Sequence, residues 1–493
     1  MSSILNILQN KTDFGKTDDK KEDVIITNSK PKITINPFIT ENIEKKPISP
    51  TVSTEQFSKI KITEVNKPVN NNTTNKTRVM LCGTYPIGQS NGYSRVLYYI
   101  SKYLGLKDDL QLTIYGFQNF KQTTTNRNDI PSSVILHDAL ATENPKRNGF
   151  GEKEIVDYMR ENPQDIVIIF NDMVITSSIT KTIVENMTPD ERKSFKLISY
   201  MDQVYPYQKP EYINLLNTYF DGVIAFTSHW KNVVRELGLK KDIPCYFFPH
   251  GFDSKLYFPI NKNLCRLYFN IPQDAFVILN LNRNQPRKRL DHTIIAYVNV
   301  VERHIKLEDE NKKPLKLMIA TTIKGFWNLI DIYKNELRRR NIPEDIGMKY
   351  LSTIPKPQQL SDRDINILYN ACDIGLNTCE GEGFGLCQFE HLAIGCPQVA
   401  ANIGGFKEFL NNNNSILVEP KWNYYIDNVR DGIGGMAEVS DPNDFADAIW
   451  KYYTNPDLIE KHGKTGKKEI TENYDWGIMV NILHQIIHKI KKL

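Results

Sequence analysis

The feature that most constrains this chain is a series of short, unbroken apolar runs, each followed by a helix-compatible stretch. Residues 165–170, 197–200 and 222–226 are apolar almost throughout, with no polar alternation. Strands that read this way are buried on both faces, as in parallel sheets covered by helices. A strand over 79–82 opens the series, a helix follows over about 92–104, and a strand follows over 110–115. Ser228 is read as the N-cap of a helix reaching Leu237. A second series begins near residue 275. It has strands over 275–281 and 315–321 and helices over 291–303 and 324–340. Ser361-Asp362 caps a helix ending at Ala371, and Asp441-Pro442 opens another with proline at its first position. Asp475 can cap a last amphipathic helix over 476–490. Such alternation predicts an α/β protein with doubly wound sheets. The glycine-bearing stretch 421–435 reads as an irregular insertion.

The chain's 493 residues are enough for two or three domains with separate cores. Residues 1–76 are rich in Lys, Asn, Thr and Ser and read as a disordered, low-complexity tail. A net charge of +4 is small for this length and gives no support to nucleic-acid binding. The seven cysteines form no C-x-x-C pair. Buried thiols in a reducing, cytoplasmic setting are the expectation. No signal peptide is evident, and no run approaches ~18 apolar residues, so no transmembrane segment is expected. Peripheral contact with a membrane stays open.

The chemistry concentrates in Glu382-Gly383-Phe384-Gly385-Leu386-Cys387-Gln388-Phe389-Glu390. A short strand over 373–377 precedes it. The following helical run is stopped by Gly395 and Pro397. Glu382 therefore falls in a loop and Glu390 one to two turns into a helix. Free N–H groups at a helix start suit phosphate oxygens. Carboxylates beside them would repel that anion, so they suit neutral hydroxyls. A nucleotide sugar, with phosphates between hydroxyl-bearing rings, satisfies both. Arg283, Arg287, Lys288 and Arg289 crowd the loop after the strand ending at Leu281. Alone they would read as a solvated basic turn. Beside the two glutamates they suit a departing diphosphate. Residues 88–92 are neither G-x-G-x-x-G nor a Walker loop, so dinucleotide and ATP binding gain little support.

These segments together resemble the retaining glycosyltransferases of family 4, or glycosyl transferases group 1. The E-x7-E stretch continues through Gly395-Cys396-Pro397 to Gly404-Gly405-Phe406-Lys407-Glu408. Ser90-Asn91-Gly92-Tyr93-Ser94-Arg95 resembles that family's glycine-rich loop. Pro249-His250-Gly251-Phe252-Asp253 resembles its interdomain segment, and 282–289 its basic loop. The resemblance covers about residues 78–480. It implies a GT-B fold of two Rossmann-like domains facing a cleft. A first domain at 77–255 would lie on the acceptor side and a second at 256–475 on the donor side. A last helix at 476–493 would cross back to the first.

The resemblance implies sugar transfer from a nucleotide-diphosphate sugar to an unidentified glycan, protein or lipid acceptor, with retention. No metal and no cofactor are expected. Glu390 would bind ribose hydroxyls, and Glu382 hydroxyls of the donor sugar. Backbone N–H groups of Phe384, Gly385 and Leu386 would hold sugar or phosphate oxygens. Arg283 and Lys288 would stabilise the leaving group, with Arg287 accessory, and Gly92 would approach the donor phosphate or the acceptor. Asp202 stands where many members carry a histidine; it would orient the acceptor, contact the donor sugar or cap its loop. Asn171-Asp172 carries the same ambiguity. His250 reads as structural. His484 and His488, four apart, could hold zinc, but no third ligand is evident and a helix-surface role is preferred. The competing readings are an epimerase and a catalytically silent sugar-nucleotide-binding or scaffolding protein.

Overall fold

A computed structural model describes residues 76–493 apart from 90, 122–126, 358–359 and 428–432. The expected tail up to residue 75 lies outside the described residues, as do Ser90 and Gly432.

The continuous apolar runs form two all-parallel sheets. The first contains β1 (Thr77–Thr84), β2 (Leu110–Phe117), β3 (Ile135–Asp138), β4 (Ile166–Asp172), β5 (Lys196–Asp202), β6 (Gly222–Ala225) and β7 (Cys245–Phe247). Their order is β3-β2-β1-β4-β5-β6-β7. The second contains β8 (Phe276–Asn280), β9 (Leu315–Ala320), β10 (Leu351–Ile354), β11 (Ile374–Asn377), β12 (Gln398–Ala401) and β13 (Ile416–Val418). Their order is β10-β9-β8-β11-β12-β13. Every residue of β8 and β11 is buried, as the runs required.

This topology fixes where a ligand can go. Each sheet reverses its winding once, between β1 and β4 and between β8 and β11. In open α/β sheets the crevice lies outside the C-terminal strand ends at that reversal. The basic loop follows β8 and the Glu382 loop follows β11. The glycine loop follows β1. The segments singled out by chemistry therefore leave adjacent strands at the two reversals.

Six helices frame the site: α1 (Gly92–Leu104), α2 (Ser228–Glu236), α3 (Leu290–Lys306), α4 (Asp362–Ala371), α5 (Leu386–Ala393) and α6 (Trp476–Lys491). Asn91, Ser361 and Asp475 cap α1, α4 and α6 through their side chains. α6 returns to the first sheet. Trp476 stacks on Tyr99 of α1 with centroids 4.9 Å apart, and Lys491 Nζ donates to Thr77 Oγ1 over 2.8 Å. One buried cluster runs from β1 and α1 through Phe248, Phe252 and Tyr257 into the second sheet.

Three expectations need correction. The cap of α2 is Thr227, in extended backbone, whose Oγ1 accepts from Trp230 N over 3.0 Å; Ser228 is the first helical residue. The helix expected over 324–340 begins only at Leu329. The chain before it is held by Asn284, whose side chain donates to Trp327 O over 2.8 Å and accepts from Trp327 N over 3.0 Å. The stretch 421–435 is not irregular throughout. It belongs to an antiparallel hairpin of β14 (Pro420–Ile426) and β15 (Gly435–Ser440). Ile426, Ala437 and Val439 bury against Val204 and Tyr205 of the first domain.

Candidate active site between the two sheets

The second-domain wall is built from the loops after β8 and β11. Lys288 Nζ bonds Glu382 Oε2. Arg287 Nη1 donates to Gly381 O over 3.0 Å and lies 3.8 Å from Glu382 Oε1. Burial alone would raise the Glu382 carboxyl. Lys288 and Arg287 outweigh it and hold the group below the usual carboxylate range. Burial also works against the Arg287 cation, but Glu382 and Asp202 hold it above its ordinary value. Arg283 is exposed, yet Arg287, Tyr93, Glu382 and Asp202 all act on its charge. It therefore lines open space inside the cleft. Loss of hydration there, followed by repulsion from Arg287, holds it below its ordinary value.

Beneath this wall lies a buried amide and hydroxyl network. Asn282 donates to Asn280 over 2.8 Å, and Asn280 donates to Thr293 over 2.9 Å. Asn377 donates to Gln388 over 3.0 Å, and Thr378 donates to Arg289 O over 2.8 Å. Arg289 itself has φ +44°, an uncommon conformation for a side-chain-bearing residue. Ion pairs to Asp291 at 2.9 Å and to Glu380 at 3.2 Å hold it.

Gly385 ends the loop at φ +94°, and a Cβ there would lie 2.3 Å from Phe406 Cε1. Only glycine fits both the backbone and the space. α5 then starts with no side-chain cap, so the N–H groups of Leu386, Cys387 and Gln388 have no intrahelical acceptor. Gly92, the first residue of α1, faces them; a Cβ on it would lie 3.1 Å from Leu386 Cδ1. Two helix starts thus meet across the cleft. Phe384 is buried, packed on Phe389 at 5.1 Å and on His250 at 4.5 Å between centroids. The Gly404-Gly405 segment lies against the same loop, with Gly405 N donating to Glu382 O over 2.9 Å.

The first-domain wall carries Asp202, the last residue of β5. Tyr93 donates its hydroxyl to Asp202 Oδ2 over 2.5 Å, and Oδ1 has no hydrogen-bond partner. A Cβ on Gly383 would lie 1.7 Å from that Oδ1, so Asp202 reaches the motif loop itself. Burial raises its carboxyl in spite of Tyr93 and Arg287. Asp172 instead caps the helix Met173–Asn186, accepting from Val174 N and Ile175 N at 3.0 Å each. Trp230 Nε1 donates to Gly383 O over 2.8 Å. His250 is buried, its two ring nitrogens without partners, and burial lowers it to about 3. It is a neutral ring packed on Phe226 and Phe384.

Glu390 is already engaged by protein side chains. Arg95 Nη1, from α1, donates to its Oε1 over 2.5 Å and Oε2 over 2.6 Å, and Tyr369 donates to Oε2 over 2.9 Å. All three side chains are buried. A carboxylate has about four acceptor positions, and three are taken here. Burial opposes the Arg95 cation, but Glu390 holds it well above its ordinary value. Thus Arg283, Arg287, Lys288, Glu382, Asp202 and the start of α5 come together, while Glu390 is engaged by the opposite domain. Sequence reading gave no role to Arg95, Tyr93, Trp230 or Tyr369. The signal for the first two was their place in the glycine loop; Trp230 and Tyr369 read as ordinary apolar helix positions.

Two winding sheets with a phosphate-suited cleft at their reversals define the GT-B class. Residues 268–469 match the family described as glycosyl transferases group 1. That match takes in the second sheet and not the first. Its sequence is 27% identical over 229 residues to a D-inositol 3-phosphate glycosyltransferase of Kribbella flavida, covering 46% of each chain. It is 24% identical over 217 residues to the human alpha-1,3/1,6-mannosyltransferase ALG2, covering 44% of this chain and 45% of that one. The chain spans just under half the length of these curated relatives. Sucrose-phosphate synthase from Thermosynechococcus elongatus superposes with a TM-score of 0.60 at 14% identity, over 84% of this chain and 99% of that one. Anabaena HepE in complex with UDP and glucose gives 0.57 at 16% identity, over 85% and 100%. Among the described residues no helix is long and apolar enough to cross a membrane.

Proposed function

We propose that this protein transfers a sugar from a nucleotide-diphosphate sugar to a hydroxyl acceptor, with retention and without a metal in the cleft. The observation that carries the reading is the meeting of Lys288 and Arg287 with Glu382 beside two converging helix starts. The bond from the anomeric carbon to the diphosphate oxygen breaks, and the acceptor oxygen bonds that carbon on the same face. The acceptor proton passes to a diphosphate oxygen. Arg283, Lys288 and the α5 N–H groups stabilise the charge left on the diphosphate, the kind of preorganised term that dominates many active sites. Glu382 exchanges part of its contact with Lys288 for hydroxyls of the donor sugar. Asp202, with an unpaired Oδ1 facing the motif loop, orients sugar or acceptor.

Glu390 binds the ribose in this proposal only after Arg95 withdraws. Arg95 sits on the other domain, so opening the cleft frees the acceptors that two ribose hydroxyls need. HepE was solved with UDP and UDP-glucose, which makes uridine donors the first to test. The experiment is nucleotide release from a panel of nucleotide sugars, with and without EDTA. Release that survives chelation supports the proposal. Turnover lost to EDTA and restored by magnesium or manganese defeats the metal-free step. Tight nucleotide binding with no release from any donor favours the silent-binder alternative.

A further inference from the structure

The zinc-like spacing of His484 and His488 lacked a third ligand in the sequence; the fold supplies one. Asp109, just before β2, lies with its Oδ1 3.0 Å from His484 Nε2 and its Oδ2 2.9 Å from His488 Nε2. The two Nε2 atoms are 3.2 Å apart. We propose that Asp109, His484 and His488 form a binding site for a zinc-class divalent cation.

The geometry argues for a cation at the centre. Zn–N and Zn–O bonds of ~2.0–2.1 Å at tetrahedral angles put neighbouring donor atoms about 3.3 Å apart. With Asp109 Oδ2 as the single oxygen donor, the separations are 3.1 Å to His484 Nε2, 2.9 Å to His488 Nε2 and 3.2 Å between the nitrogens, all within a few tenths of that value. Protons alone satisfy the cluster poorly. If both Nε2 atoms are protonated, each serves its own oxygen of Asp109, but the two N–H dipoles lie side by side with their nitrogens 3.2 Å apart; if one is bare, it faces the carboxylate as a second acceptor. One cation with three donors removes the conflict. Two imidazoles and one carboxylate also suit zinc better than magnesium, which prefers oxygen ligands. The donors stay partly accessible, with side-chain exposures of 21% for His484, 47% for His488 and 45% for Asp109, so an ion can enter and water can fill the fourth position.

The location says what the ion would do. Asp109 sits at the N-terminal end of β2, and Thr77, which binds Lys491, starts β1. The cluster is therefore at the N-terminal ends of the strands, opposite the cleft, where it plays no part in transfer. It would fasten α6, which follows the second domain in sequence, to the first domain. Lys107 already donates to Asn481 of α6 over 2.7 Å and Lys491 to Thr77 over 2.8 Å, and the ion adds a further tie.

The test uses untagged full-length protein. Zinc competition against a chromophoric chelator should give one site, and the affinity should fall at least about tenfold in each of Asp109→Asn, His484→Ala and His488→Ala. Cobalt should give visible bands without thiolate charge transfer; a thiolate band would move the metal to a cysteine and overturn the proposal. Zinc should raise the melting temperature of the parent protein but not of the His484→Ala/His488→Ala double variant, and millimolar magnesium should not replace it. Absence of binding tighter than about 100 µM, or equal binding by the double variant, would also overturn it. These residues are outside the cleft, so nucleotide release should be unchanged in every variant. Loss of the zinc site and loss of transfer are thus separate results.

Discussion

The two walls of the cleft are built by different rules. The second-domain wall is self-contained. Lys288, Arg287 and Glu382 satisfy one another, and the Asn280, Asn282 and Asn377 amides bond to one another at the ends of the same strands. The first-domain wall has little of that internal bracing. Arg95, Trp230 and Ser228 find partners on Glu390, Gly383 and Glu408 of the other domain. One wall is preorganised, and the other is completed by closure. A ligand entering this cleft therefore meets a fixed cationic face and must displace a protein contact on the other.

The largest effect that would break this contrast is expected at Arg95. Removing one partner of a buried ion pair typically costs ~3–5 kcal/mol, because the other charge stays buried and uncompensated. Arg95→Ala should lower unfolding stability by about that amount in denaturant melts. It should leave nucleotide diphosphate affinity intact or raise it, since Glu390 is released. If affinity fell with stability, Arg95 would be a ligand contact and not a competitor for Glu390.

Next in size is Lys288→Ala. Losing one preorganised electrostatic contact to developing charge costs ~2.7–4 kcal/mol, or roughly a hundred- to a thousandfold in turnover. Single-turnover kinetics should place the loss in the chemical step. An effect under tenfold would mean that Arg283 and Arg287 suffice.

The two glutamates then separate the walls. Glu390→Ala should weaken nucleotide diphosphate binding by ~1.5–3 kcal/mol, about ten- to a hundredfold. Glu382→Ala should leave that ligand's affinity nearly unchanged and impair transfer through poorer sugar placement. Calorimetry with the diphosphate and the intact donor distinguishes them. Equal loss in both variants would reject the division of roles.

What was legible in the sequence follows the same contrast. The sheets were legible because strands buried on both faces carry an unbroken apolar signature. The second wall was legible because its chemistry is contiguous, with two short segments holding all the charges. The first wall was not, because its partners are remote in sequence. Arg95 meets Glu390 295 residues away and Trp230 meets Gly383 153 residues away. The third potential ligand beside His484 is 375 residues distant. Asn280, Asn282 and Asn377 look like ordinary strand ends until adjacent strands bring them together. The β14–β15 hairpin was hidden because its glycines suggested irregularity. Gly435 is needed at φ +140°, where a Cβ would also lie 2.8 Å from Tyr205.

The smallest effect concerns the ring that touches both walls. His250 packs on Phe226 from the first domain and Phe384 from the second, and burial lowers it to about 3. His391, stacked on Tyr369, is likewise lowered to about 3. In the unfolded chain both titrate near 6.5. Between those values the unfolded state binds more protons, so stability falls as pH drops. The contribution is fully present above pH ~6.5 and is lost at roughly 1.4 kcal/mol per pH unit per ring below it. Denaturant melts at pH 7, 6 and 5 should show the decline, before most carboxylates begin to protonate. His250→Phe keeps an aromatic in the same cage and should reduce the slope by one ring's share, leaving that of His391 and of the other lowered histidines, His229 and His292 at about 4 among them. An unchanged slope would mean that His250 gains solvent or a proton acceptor in the folded state. The two walls would then be less tightly closed over it than this geometry requires.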